Sequence, residues 1–135
     1  MTKQERLAEI NARCEYNIYN GLIVTDFDEA NGEFCVVEGA LRPEAMNPQG
    51  MAHGGFVYSL CDVAAGIVVN INRDTQNFVT LSGGVNFLHP GRGSKLRCIG
   101  RLIKPGRTIN VVETSVFDDE ERLVARGTFE MFVKG

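Results

Sequence analysis

Residues 54–72 are the longest apolar stretch of the chain, and they restrict what it can fold into. Phe56, Val57, Leu60, Cys61, Val63, Ala64, Ile67, Val68 and Ile71 leave almost no polar face. A helix of this kind is predicted to be buried rather than amphipathic. Crossing a bilayer would take about 20 predominantly apolar residues, and Tyr58, Ser59, Asp62 and Gly66 interrupt this run. The expectation is a core helix with no membrane partner, so the rest of the chain has to cover it.

What flanks the helix reads mainly as strand. Leu22 to Phe27 and Glu33 to Val37 precede it, joined by a turn at Glu29–Gly32. An irregular stretch from Arg42 to Gly50 carries Pro43 and Pro48. Four strand-like runs follow, Phe78 to Leu88, Leu96 to Ile103, Thr108 to Phe117 and Leu123 to Val133. Lys104-Pro-Gly-Arg107 reads as a type II turn, with Pro and Gly at its two centre positions. Turns this short imply antiparallel pairing, because parallel strands need long crossovers. The simplest packing is an α+β fold in which a curved antiparallel sheet wraps one buried helix. Leu7, Ile10 and Cys14, spaced three and four apart, add a short amphipathic helix over residues 3–16. The 135 residues fit one domain spanning 1–135, with 1–19 as N-terminal helix and lead-in.

Charge and cysteine content exclude some functions. The net charge is −3 and the 14 Lys and Arg are scattered, so no nucleic-acid partner is expected. Cysteines 14, 35, 61 and 98 form no C-x-x-C pair, and only His53 and His89 could add imidazole ligands. Neither a metal nor dithiol redox chemistry is expected. Cys61 reads as core packing. The charged N-terminus carries no apolar signal segment, which points to a reducing, cytoplasmic location.

The chemistry-bearing stretch runs from Asn47 to Asp62. Gly54 and Gly55 open the buried helix. The first turn of a helix leaves backbone N–H groups unpaired, and its dipole favours negative charge there. Glycine lets a ligand come close to that backbone. These donors suit a carbonyl that becomes an oxyanion when attacked; equally, the pair can be a glycine-rich helix entry and nothing more. Asp62 lies among apolar residues, where a carboxylate is costly unless paired or used; equally, it can sit on the one exposed strip of the helix or bond a local backbone group. It is eight residues past Gly54, or about 12 Å along a continuous helix at 1.5 Å per residue. A base or nucleophile must stand near 3 Å from its target. If both groups are catalytic, each site therefore needs two antiparallel helices related by a two-fold axis. His53 can polarise a carbonyl or cap the loop. Asn47 can position a water or the acid, or shape the turn.

Asn47, His53-Gly54-Gly55 and Asp62, with Asp62 nine residues after the histidine, resemble the hotdog-fold acyl-CoA thioesterases of the phenylacetate-degradation type. The segment Val85-Asn-Phe-Leu-His-Pro-Gly91 and the turn at 104–107 are similar to that family as well. The likeness covers about residues 20 to 133. It implies an enzyme that splits acyl-CoA into acid and CoA, with CoA as part of the substrate and no other cofactor. It implies a dimer or dimer of dimers. Asp62 would be nucleophile or general base towards the thioester of the facing subunit, and the Gly54 N–H would bind the carbonyl oxygen. Asn47 would help place the water or thioester. Thr80, with Ser82 as its rival, would supply an assisting hydroxyl. Gly91, Arg92, Gly106, Arg107 and Thr108 would take the CoA nucleotide, where basic side chains suit phosphates. Phe56, Val57 and Tyr58 would shape the acyl pocket beside Gly55. Two other classes compete. A hotdog hydratase would carry its Asp before the His rather than after it, and an acyl-CoA-binding module would not need Asp62. A thioesterase acting on acyl-carrier-protein esters is a third alternative.

Overall fold

The computed structural model describes residues 1–134. Its elements are α1 (Lys3–Ala12), α2 (Glu15–Tyr19), β1 (Leu22–Phe27), β2 (Phe34–Ala40), a 3-10 turn (Pro43–Ala45), α3 (Gly54–Arg73), β3 (Phe78–Phe87), β4 (Lys95–Lys104), β5 (Ile109–Phe117) and β6 (Leu123–Val133). The strands form one antiparallel sheet in the order β1-β2-β4-β5-β6-β3. Burial alternates along β2, β5 and β6, because successive side chains point to opposite faces of a strand. The inward set, including Val37, Cys98, Val112, Val116 and Phe129, meets α3, which touches all six strands. This is the α+β hotdog arrangement.

The sheet covers only one side of α3. Phe56, Leu60, Cys61, Ala64, Ala65 and Val68 are buried, while Val63 and Ile67 are half-buried and Tyr58 is exposed. The expectation of a helix buried all round is corrected. Tyr58, Asp62 and Gly66, spaced four apart, line up on one face outside the sheet's cover. Although α3 is long and apolar enough to cross a bilayer, most of it is packed inside the fold.

Two local expectations also change. The helix expected over 3–16 is two helices with a break at Cys14, which is extended (φ −113°, ψ 111°) and exposed. The Asn11 side chain donates to the Val24 carbonyl (2.9 Å) and accepts from the Val24 N–H (2.8 Å), which anchors the end of α1 on β1 just before the break. The turn at 104–107 is not type II, since Gly106 lacks the positive φ that such a turn demands. Glycine is needed there for room, because a Cβ would sit 2.2 Å from the Ile109 carbonyl oxygen. Finally, β3 is an edge strand, paired only to β6 and exposed along most of its length. Val79, Leu81 and Phe87 are all exposed on it.

Candidate active site

The loop before α3 is held by its own backbone. The Asn47 N–H donates to the Met51 carbonyl (2.7 Å), the His53 N–H to Ala45 (2.8 Å) and the Ala52 N–H to Gly91 (2.8 Å). Asn47 Oδ1 accepts from the N–H groups of Gln49 and Met51, both at 3.0 Å. The side-chain oxygen of Asn47 thus shapes the turn, and the residue lines the neighbouring cleft.

His53 is the N-cap of α3. Its Nδ1 accepts from the Gly55 N–H at 2.8 Å, so a neutral ring carries its proton on Nε2. The His53 carbonyl accepts from Phe56 (2.9 Å) and Val57 (3.1 Å). Only the Gly54 N–H of the first turn has no partner among the described residues. The cap separates Gly54 from Gly55. Gly55 is consumed by the fold and Gly54 is the free donor.

A Cβ on Gly54 would meet nothing closer than the Phe87 ring at 3.8 Å, so the fold tolerates a side chain there. One on Gly55 would lie 3.0 Å from His53 Nδ1. Gly54→Val is expected to fold normally and lose about a hundredfold in kcat, the scale of one lost oxyanion donor. Gly55→Ala is expected to lose less activity but to unfold earlier, by about 1 kcal/mol for a disturbed cap. Steady-state kinetics with thermal melts of both variants check this, and full activity in a folded Gly54→Val would remove Gly54 from the site.

Asp62 lies two turns further along α3. Its Oδ1 accepts from Thr80 Oγ1 at 2.7 Å, and Oδ2 has no partner among the described residues. Ser82, the other candidate hydroxyl, donates instead to Glu130 at 2.5 Å. A bulge in β3 explains the difference. Thr80 pairs with Met131 and Ser82 with Glu130, so Leu81 is inserted between them. Met131 faces the core, and beyond the bulge Ser82 turns to the outer face with Glu130.

Gly54 and Asp62 open into different clefts. Gly54 lines one of about 360 Å3 with Asn47, Phe87, Leu88, His89, Pro90 and Gly91. Asp62 lines another of about 460 Å3 with Tyr58, Val63, Gly66, Ile67 and Phe78. They share no residue. The residues expected to hold the nucleotide divide the same way. Gly91 and the exposed Arg92 lie at the Gly54 end, and Gly106 with the exposed Arg107 and Thr108 at the other. The ten residues of β4 separate them, on the order of 30 Å at about 3.3 Å per residue. One residue missed in the sequence is Arg73, whose guanidinium donates to the carbonyls of Gly106 and Arg107 and ties their turn to the end of α3. Its place in the last helical turn was the available signal.

Cys61 is fully buried against the core, as expected from its neighbours. Among the described residues no group of His, Cys, Asp and Glu is arranged to hold a metal.

A six-stranded antiparallel sheet wrapped round one long helix is the hotdog fold, and the family that the chain matches makes it a thioesterase. Residues 49–125 match the thioesterase superfamily, and the chain belongs to it. It is a thioester hydrolase of the PaaI-like kind. The medium/long-chain acyl-CoA thioesterase YigI of Escherichia coli K12 is 21% identical over 145 residues, covering 95% of this chain and 94% of that one. The phenylacetic acid degradation protein PaaI of Thermus thermophilus, solved as a point mutant, superposes with a TM-score of 0.79 at 28% identity, covering 90% of this chain and 100% of that chain. The protein smu.793 of Streptococcus mutans, solved with acetyl-CoA bound, has a TM-score of 0.72 at 33% identity, covering 84% and 89%.

Proposed function

We propose that the protein hydrolyses acyl-CoA to free acid and CoA in a site shared by two subunits. The observation that carries this is the separation of Asp62 and Gly54 into two clefts of one chain. Pairing β3 with β3 of a second copy about a two-fold axis near Gly83 and Gly84 unites them. Thr80 and Asp62 of one subunit then come beside Phe87 and Gly54 of the partner subunit, because the paired strands run in opposite directions. The same rotation brings Arg92 of the partner subunit towards Arg107 and Thr108. The unpaired edge of β3 and its exposed Val79, Leu81 and Phe87 support this interface, since such edges are normally covered or blunted. A further pairing of dimers is compatible with it.

In this reading the thioester oxygen sits on the Gly54 N–H of the partner subunit, which meets the charge as it develops. Asp62, oriented by Thr80, uses Oδ2 to attack the carbonyl carbon or to deprotonate a water that does. Asn47 lines the approach on the Gly54 side, and His53 holds the start of α3. Acetyl-CoA on the Streptococcus mutans relative supports a CoA ester as substrate. No metal or added cofactor enters the scheme. A reducing cytoplasm would suit its free thiols.

Release of free thiol, followed with a thiol reagent over a panel of acyl-CoAs, tests the activity. Turnover of at least one ester is expected. Tight binding without release from any ester would make the protein a sensor, and hydration of a trans-2-enoyl-CoA would make it a hydratase.

A further inference from the structure

The fold fixes the two histidines of the chain in opposite tautomers. His53 Nδ1 accepts from the Gly55 N–H, so its neutral ring keeps the proton on Nε2. His89 Nδ1 lies 2.9 Å from the Leu123 carbonyl oxygen. A carbonyl can only accept, so Nδ1 carries the proton there and Nε2 is the position left to exchange one. The backbone at His89 is held as firmly as the ring. The N–H groups of Leu88 and His89 both donate to the Val124 carbonyl, at 2.8 and 3.1 Å. Pro90 restricts the residue before it to extended conformations. His89 is exposed and lines the same cleft as Gly54. Among the described residues it is the only ionisable side chain that does so. The bond from the Ala52 N–H to the Gly91 carbonyl keeps this stretch against the loop that leads into α3.

We propose that His89 is the general acid of the reaction, its Nε2 passing a proton to the CoA sulfur as the carbon–sulfur bond breaks. This rests on the reading that the thioester oxygen sits on the Gly54 N–H. Sulfur and oxygen are bonded to one carbon, so the sulfur then stands in or at the mouth of the cleft that His89 lines. As the oxyanion collapses, the carbon–sulfur bond gives its electron pair to sulfur, and the sulfur takes the Nε2 proton. CoA leaves as the thiol. The ring is left neutral with its remaining proton on Nδ1, where Leu123 holds it, and solvent returns a proton to the exposed Nε2. In either of its roles Asp62 ends the cycle as a carboxylate, with the proton drawn from the attacking water released to solvent. An imidazole suits this task because it changes charge near neutral pH and is emptied and refilled at each turnover.

The test varies the leaving group. An alkyl thiolate is more basic than an aryl thiolate, so its departure gains more from a proton. Three esters of one acid are compared, the CoA and N-acetylcysteamine thioesters, which release alkyl thiols, and the S-phenyl thioester. His89→Gln is expected to lower the ratio of alkyl to aryl kcat by about a hundredfold, the lower end of what a positioned acid contributes. KM for the CoA ester is expected to stay within about twofold of the parent value, as for a group that acts in the transition state. A rise in KM at unchanged kcat would make His89 a contact to the CoA arm. An equal loss with both kinds of leaving group, in a protein shown by circular dichroism to be folded, would make its role structural. Either result overturns the general acid.

His89→Ala gives a second comparison. Imidazole added to the buffer is expected to restore turnover of the two alkyl thioesters and to leave that of the phenyl thioester as it was. A folded His89→Ala that imidazole does not rescue overturns the assignment. Gly54→Val tells a failure here from a failure of the carbonyl placement, since every leaving group passes through the same oxyanion and all three esters should slow together. Full activity of Gly54→Val would overturn that placement and His89 with it. A slow Gly54→Val beside a His89→Gln without leaving-group contrast would overturn His89 alone.

Discussion

Asp62→Asn is expected to lower kcat by at least about a hundredfold, the scale of a positioned base or nucleophile. The exchange removes charge and little else. The amide oxygen of Asn can still accept from Thr80 Oγ1, so the contact made at 2.7 Å and the local fold survive. KM should change little, because the carboxylate acts on the thioester carbon chiefly in the transition state. The measurement is steady-state thiol release with circular dichroism to verify folding. Near-normal turnover in a folded variant would sink the assignment of Asp62 and leave Gly54 as a donor without an attacking group.

The second large effect is recovery of activity on mixing two inactive proteins. Asp62→Asn lacks the carboxylate and Gly54→Val crowds the donor. A mixed dimer built on paired β3 strands contains one site with both defects and one with neither. With random exchange about half of the dimers are mixed and each regains one of two sites, so about a quarter of full activity should return. Gly54→Val suits the experiment because its nearest neighbour, Phe87, stands off by 3.8 Å and the subunit should assemble normally. If one chain held a complete site, every subunit of the mixed dimer would still be defective and nothing would be rescued. Absence of rescue, with exchange verified by mass spectrometry of tagged subunits, would overturn the shared site. It would also require α3 to deform, because Gly54 and Asp62 sit about 12 Å apart on a continuous helix.

Much of this was legible in the residues. Strand bounds at Leu22–Phe27 and Leu123–Val133 were readable because period-two apolar alternation and flanking turn residues mark them locally. The helix start was equally plain, since Gly54-Gly55 behind His53 is a local signal. Local patterns failed where a distant contact decides. The break at Cys14 comes where Asn11 grips Val24 on β1, and the turn at Gly106 packs against the Ile109 carbonyl and is held by Arg73.

The sequence by itself determined that one apolar helix would be wrapped by an antiparallel sheet, and that Asp62 and Gly54 could not serve one site within one chain. Both conclusions need only hydrophobic period and helical rise, which are properties of contiguous residues. The tertiary structure alone decided which groups are free to react. It assigned Gly55 to the His53 cap and left Gly54 open, and it turned Ser82 to Glu130 by inserting Leu81 so that Thr80 alone reaches Asp62. It also left one edge of β3 and one face of α3 uncovered, and laid Tyr16 over the resulting cleft. The physical reason is common to all of these. A donor, a hydroxyl or a strand edge becomes available only when nothing else in the folded chain satisfies it, and its competitors come from residues far away in the sequence.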